Sequence, residues 1–272
     1  MKLIVANWKI NPSTQQEAVE LFKTVQKGIE SVKNVEVVIC PPLVYVSSFK
    51  FHVSGLALGA QNVFYKEEGA YTGEVSPKQL KDLNVEYVIV GHSESREYLN
   101  ETNEIINKKV KECLCEGLKP ILCVGETREQ RSSNKTEEIV EHQLKTALKD
   151  VSSFPPTPTC LRADTHRQEL WQAGMFHVPG IVIAYEPVWA IGTGKNCSVE
   201  ETLKSVLFIK KVITSLYSKE IADRLIILYG GSVNSSNSSE YLKGGGVQGL
   251  LVGGDSLNAE DFIEIVRLAD II

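Results

Sequence analysis

The sequence predicts an α/β fold of one domain, a closed (β/α)8 barrel of eight parallel strands, and three observations predict it. Short apolar runs with strand character recur eight times along the 272 residues. Most are continuous rather than alternating in polarity, as expected of strands covered on both faces of a parallel sheet. The stretches between them carry mainly helical periodicity, so strands and helices alternate along the chain. An open doubly wound sheet more often shows a Gly-x-Gly-x-x-Gly turn after its first strand. Here that turn reads Asn7-Trp8-Lys9-Ile10-Asn11.

In chain order the strands are expected at 3–6, 35–40, 56–60, 87–90, 120–124, 181–185, 225–229 and 249–252. The first helix is expected over 13–30, where Ala18, Leu21, Phe22, Val25 and Ile29 share one face with charges opposite. The same argument gives helices over 101–117, 137–151, 199–217 and 259–268. The segments after the second and third strands are shorter and less clearly helical. Gly244-Gly245-Gly246 precedes the eighth strand and acts as a helix stop. Residues 152–180 interrupt the rhythm: Phe154-Pro155-Pro156-Thr157-Pro158 cannot continue a helix. The segment is longer than usual helix-to-strand connections and forms a surface insertion or partner site at the barrel's bottom. His166 and His177 within it are too far apart for a local metal pair.

Composition excludes several classes. With 43% hydrophobic and 23% charged residues the chain is ordinary for a globular protein, and its net charge of −5 offers nothing to nucleic acid. No apolar run reaches the length of a membrane span, and Asn7 and Lys9 break the opening segment too early for a signal peptide. The six cysteines read as reduced thiols of a cytoplasmic protein. Cys113 and Cys115, two apart on a helix, point to different faces and make a poor metal pair, so no metal is expected.

In such a barrel the chemistry sits where strands end and strand-to-helix loops begin. Asn7 and Lys9 close the first strand, on one side of the chain if it runs extended, with Trp8 on the other. Lys9 is either a fixed charge for a substrate anion or a solvated loop lysine. His92 follows Tyr87-Val-Ile-Val-Gly91 and opens a helix, whose positive end favours a neutral imidazole able to donate to a carbonyl. Its alternative is a structural histidine. Glu186 emerges from a core strand, where a carboxylate is costly, as either a general base or half of a buried ion pair. The stretch Pro187-Val-Trp-Ala-Ile-Gly-Thr-Gly-Lys195, stiff at its start and glycine-rich at its end, suits a hinged lid. Gly230-Gly231-Ser232 and Gly253-Gly254, at the last two strand ends, let backbone amides approach a phosphate or simply serve tight turns.

Together these motifs resemble the triosephosphate isomerase family: Asn7-Trp8-Lys9, Gly91-His92-Ser93-Glu94, the stretch 184–195, Tyr229-Gly-Gly-Ser-Val233 and Val252-Gly-Gly254. Gln61-Asn62 and Gly69-Ala-Tyr-Thr-Gly-Glu-Val-Ser76 match the family's third loop. The resemblance runs from about residue 3 to the last helix, excepting the insertion. It implies interconversion of dihydroxyacetone phosphate and glyceraldehyde 3-phosphate without cofactor. Glu186 would move the proton, neutral His92 polarise the carbonyl, Lys9 offset the enediolate charge and Asn7 fix the substrate. Gly192, Ser232, Gly253 and Gly254 would hold the phosphate, and Glu94 and Cys123 support the site. This acid/base pair and lid are a worked case in general treatments of enzyme mechanism. A homodimer is also implied, with Thr72 at the tip of a loop reaching the neighbour's Asn7 and Lys9.

The chain departs from the family's pattern at Ser95, where arginine is usual, at Asn196-Cys197 after the lid and at Asp255, where alanine is common. Two rivals stand beside the isomerase. A Schiff-base aldolase needs a lysine inside a core strand, whereas Lys9 and Lys195 lie on or beside loops. A phosphosugar-binding barrel with a non-catalytic role would be expected to lack one of Lys9, His92 and Glu186, all of which are present.

Overall fold

The structure, a computed structural model, describes residues 1–49, 56–151, 180–192 and 196–272. Its eight strands are β1 (Lys2–Asn7), β2 (Val35–Cys40), β3 (Leu56–Ala60), β4 (Tyr87–Val90), β5 (Lys119–Val124), β6 (Val182–Tyr185), β7 (Ile226–Tyr229) and β8 (Gly249–Val252). They close in sequence order, each pair parallel, with β1 meeting β8 through Leu3 opposite Gly249. This is the (β/α)8, or TIM, barrel that the strand pattern predicts.

Continuous apolar strands follow from two buried faces. Leu3, Val5, Val38, Ala57, Ile89, Ile121, Val182, Ala184, Leu228 and Leu251 point inward and fill the barrel. Ile4, Ala6, Val37, Ile39, Val88, Leu122 and Ile183 point outward into a second core beneath the helices. Where expected and observed strands differ, no end moves by more than one residue. Ile181 and Leu225 are buried lead-ins just outside the ladders. Lys2 and Lys119 are charged first residues that hydropathy alone passes over.

The helices start where local chemistry stops the chain from starting earlier. Gln15–Gly28 begins after Thr14, whose hydroxyl accepts the Glu17 amide while the Glu17 carboxylate accepts the Thr14 amide. Thr102, Ser198 and Asn258 cap Asn103–Cys115, Val199–Leu216 and Ala259–Asp270 in the same sense, each accepting an amide of the first turn. The uncertain segments after β2 and β3 are the short helices Leu43–Val46 and Pro77–Asp82. Ser238–Gly244 ends at Gly245 and Gly246, the latter at φ 71°, as the glycine run suggests. Apart from Gly180, the insertion expected at 152–180 lies outside the described residues. Cys40, Cys113, Cys123 and Cys197 are free thiols. Among the described residues no helix is long and apolar enough to cross a membrane.

Phe262 on the last helix is fully buried in the outer core. We expect Phe262→Ala to cost about 3–5 kcal/mol of stability in denaturant titration, because it leaves a cavity the helix cannot close. A loss below about 1 kcal/mol would show that this helix is not docked as described.

Candidate active site

Strand parity brings the polar residues to the mouth. Leu3 and Val5 face the barrel interior, so Asn7, two residues on, continues that face at the C-terminal end of β1. Val182 and Ala184 do the same for Glu186 beyond β6. Its backbone is held as firmly as the strand, since the Glu186 amide donates to the Val124 carbonyl at 2.8 Å. Gly125 runs so close that a Cβ there would lie 1.8 Å from the Glu186 carbonyl oxygen. Only glycine lets the chain leaving β5 pass so close to the Glu186 main chain.

Glu186 is 2% exposed, and its side chain faces helix Ser93–Tyr98. Its Oε1 lies 3.1 Å from His92 Nε2, and its Oε2 accepts the Ser93 amide at 3.3 Å. On its other ring nitrogen, His92 caps the same helix: Nδ1 accepts the Glu94 amide at 3.2 Å. In the neutral imidazole this hydrogen bond leaves Nδ1 bare and puts the proton on Nε2, aimed at the cavity.

The pair perturbs both titrations. Burial alone would raise the Glu186 pKa, but the charge and hydrogen bond of His92, the Ser93 amide and the Cys123 thiol outweigh it and hold it below the usual carboxylate value. Burial acts to lower the His92 pKa. The neighbouring Glu186 carboxylate, with Glu94 adding and Lys9 opposing, outweighs burial and raises it. The helix end was expected to depress the His92 pKa, whereas with a carboxylate in contact the shift runs upward.

Lys9 required a second correction. Its backbone is not extended but left-handed, at φ 52°, so simple alternation with Asn7 does not place its side chain. The turn is fixed instead by the Lys9 amide, which donates to Asn7 Oδ1 at 3.0 Å, and by Gln61 Nε2, which donates to the Lys9 carbonyl at 2.8 Å. Lys9 Nζ then lies 2.5 Å from Glu94 Oε1 at the cavity edge.

One cavity of about 290 Å³ collects Asn7, Lys9, His92, Glu186, Gly192, Ser232, Gly253 and Gly254, every site residue expected from the sequence. Ile191, Gly230, Val233, Asn234, Leu251 and Asp255 complete its lining. The volume suits a small molecule. Of the lid stretch, residues 193–195 lie outside the described residues. Its two ends are tied down: the Ser232 hydroxyl donates to the Ala190 carbonyl, and the Cys197 amide donates to the Tyr229 hydroxyl at 3.2 Å.

Two side chains that sequence reasoning passed over hold this frame. Glu126, fully buried beyond β5, accepts from Trp189 Nε1 at 2.9 Å and from the Tyr185 hydroxyl at 3.1 Å. Arg131 stacks on Trp189 at 4.5 Å and reaches both Glu126 and Glu201. Glu126 had a signal, an acid one residue past a strand-end glycine, whereas Arg131 had none, because Trp189 and Glu201 lie far along the chain. Arg96 donates to the carbonyls of Gly91 and Cys123, at 2.7 and 3.0 Å, and so ties β4 to β5 under the site. Thr72 is exposed at a loop tip and is not among the residues lining the cavity.

Residues 2–269 match the family described as triosephosphate isomerase. Among similar proteins, a triosephosphate isomerase of Alkaliphilus oremlandii is 41% identical over 267 residues, 97% of this chain and 98% of the relative. Those of Dictyoglomus thermophilum and a Thermoanaerobacter species are 42% and 43% identical, with 98% and 97% of this chain covered and 98% of each relative.

Because the Glu186 charge stabilises the imidazolium, Glu186→Gln should lower the His92 pKa. Titrating the ring by NMR in both proteins tests the sign. An unchanged or higher value in the variant contradicts the pairing.

Proposed function

The chain belongs to the triosephosphate isomerase family, and from that membership we propose how its residues divide the work. It is an isomerase that interconverts dihydroxyacetone phosphate and glyceraldehyde 3-phosphate, a step shared by glycolysis and gluconeogenesis. The observation that carries the assignment of roles is one buried carboxylate in contact with one imidazole, both in the lining of one small cavity.

Glu186 takes the proton from the carbon beside the carbonyl, leaving an enediolate, and returns it to the neighbouring carbon. His92 donates its Nε2 proton to the carbonyl oxygen and recovers one from the adjacent hydroxyl, so that the two oxygens exchange roles. Lys9 offsets the growing negative charge, and Asn7 holds the oxygens in place. The amides of Gly192, Ser232, Gly253 and Gly254 take the phosphate. No step is routed through a metal or a cofactor.

Substrate entry must part the pair. A carbon and an oxygen fitted between Nε2 and Oε1 need roughly 6–7 Å, about twice the separation described. Glu186 therefore swings about its side-chain bonds, for which Gly230 leaves room: a Cβ there would lie 2.9 Å from Glu186 Cγ. Once parted, His92 loses the charge that raised its pKa, and burial with the Glu94 amide favours the neutral ring. Closure over the site keeps the enediolate from losing its phosphate.

The working form in this reading is a homodimer built through the loop around Thr72, in the cytoplasm. Ile10, Val44, Tyr71 and Tyr98 support it: they are large exposed hydrophobics that follow β1, β2, β3 and β4, four consecutive strands, on the catalytic rim. Ile10, 92% exposed, adjoins Lys9, so the partner would cover the turn that aims the lysine.

In a coupled assay of glyceraldehyde 3-phosphate conversion, Glu186→Ala should fall by roughly three or more orders of magnitude, with circular dichroism unchanged. Equal rates in the two proteins would refute the assignment. Sedimentation should give a dimer for the natural protein and a monomer of lower kcat for Ile10→Glu. A natural protein that sediments as a monomer at full activity rejects the dimer.

A further inference from the structure

We propose that Asp255 sets how weakly this site holds the phosphate of its substrate, as a specificity-determining residue for the isomerisation; the inference rests on the phosphate end assigned above. Asp255 lines the cavity directly after Gly253 and Gly254, in the short 3-10 turn Gly254–Leu257, so it shares the end at which main-chain amides meet an anion. Its carboxylate is half-buried, and among the described residues it accepts no hydrogen bond and makes no ion pair. An anion thus stands uncompensated where another anion is to bind.

The surrounding charges do not relieve it. Lys9 is the one cationic side chain among the described lining residues, and its Nζ is already 2.5 Å from Glu94 Oε1. Glu186 and His92 occupy each other. From the following helix, Ala259–Asp270, Asp261 adds repulsion, and burial together with that repulsion raises the Asp255 pKa. A phosphate carrying about 1.5–2 negative charges at neutral pH therefore meets a like charge at its own subsite. The phosphate does not react, so the repulsion is the same in the ground state and the transition state. Such a uniform term moves KM and leaves kcat the smaller change. The chain would accept weak retention of every phosphorylated ligand, its product and inorganic phosphate included.

The test replaces the charge and keeps the shape. In Asp255→Asn, and in Asp255→Ala, KM for glyceraldehyde 3-phosphate should fall about three- to tenfold, with a smaller change in kcat, from removal of one nearby charge in a partly solvated site. Inorganic phosphate, titrated by calorimetry, should bind tighter by a similar factor, while Asp255→Glu should keep the weak binding. Equal phosphate affinity and equal KM in the natural protein and both neutral variants would overturn the inference. Calorimetry needs no turnover, so a natural protein that binds phosphate without isomerising sinks the functional reading separately.

Discussion

The contact between Glu186 and His92 is the constraint on which the rest of the site depends. A carboxylate this deeply buried is tolerated only because an imidazole, a backbone amide and a thiol meet it. Those partners hold it where it can act, and they keep it low in proton affinity until something displaces one of them. In the proposed mechanism the same contact must open, since substrate needs the space between the two groups. On that reading the site is built around an interaction that breaks in each turnover, and a helix end keeps the imidazole neutral when it does.

The barrel makes that possible by supplying rigidity at the strand ends. Glu186 and Gly230 carry the sheet's hydrogen bonding one residue beyond β6 and β7, through the Val124 and Tyr185 carbonyls. Arg96 fastens the ends of β4 and β5, and Glu126 fastens the start of the lid stretch through Trp189 and Tyr185. In the proposed mechanism the Glu186 side chain moves against this fixed frame. On that proposal, binding energy from the phosphate is not needed to assemble the catalytic groups.

Much of this was legible in the sequence, for definite reasons. Strands buried on both faces leave unbroken apolar runs, so β2, β3, β4 and β8 carry the bounds expected of them. Polar residues at strand ends stand out against those runs, which is how Asn7, His92 and Glu186 could be picked. The conformation of Lys9 was not legible, because its left-handed turn is imposed by Asn7 and by Gln61, a residue 52 positions away. Nor was the direction of the His92 shift, which depends on a contact 94 residues apart in sequence. Local chemistry shows in a sequence, whereas pairings between loops show only once the barrel has closed.

Running the isomerisation in deuterium oxide and reading the product by proton NMR tests the central claim most directly. If the Glu186 carboxylate carries the proton between adjacent carbons, it exchanges with solvent while loaded, and the product gains deuterium at the carbon that receives it. Product formed at the full rate with no deuterium at that carbon would mean that hydrogen passes directly between the carbons, and the carboxylate would not be the carrier.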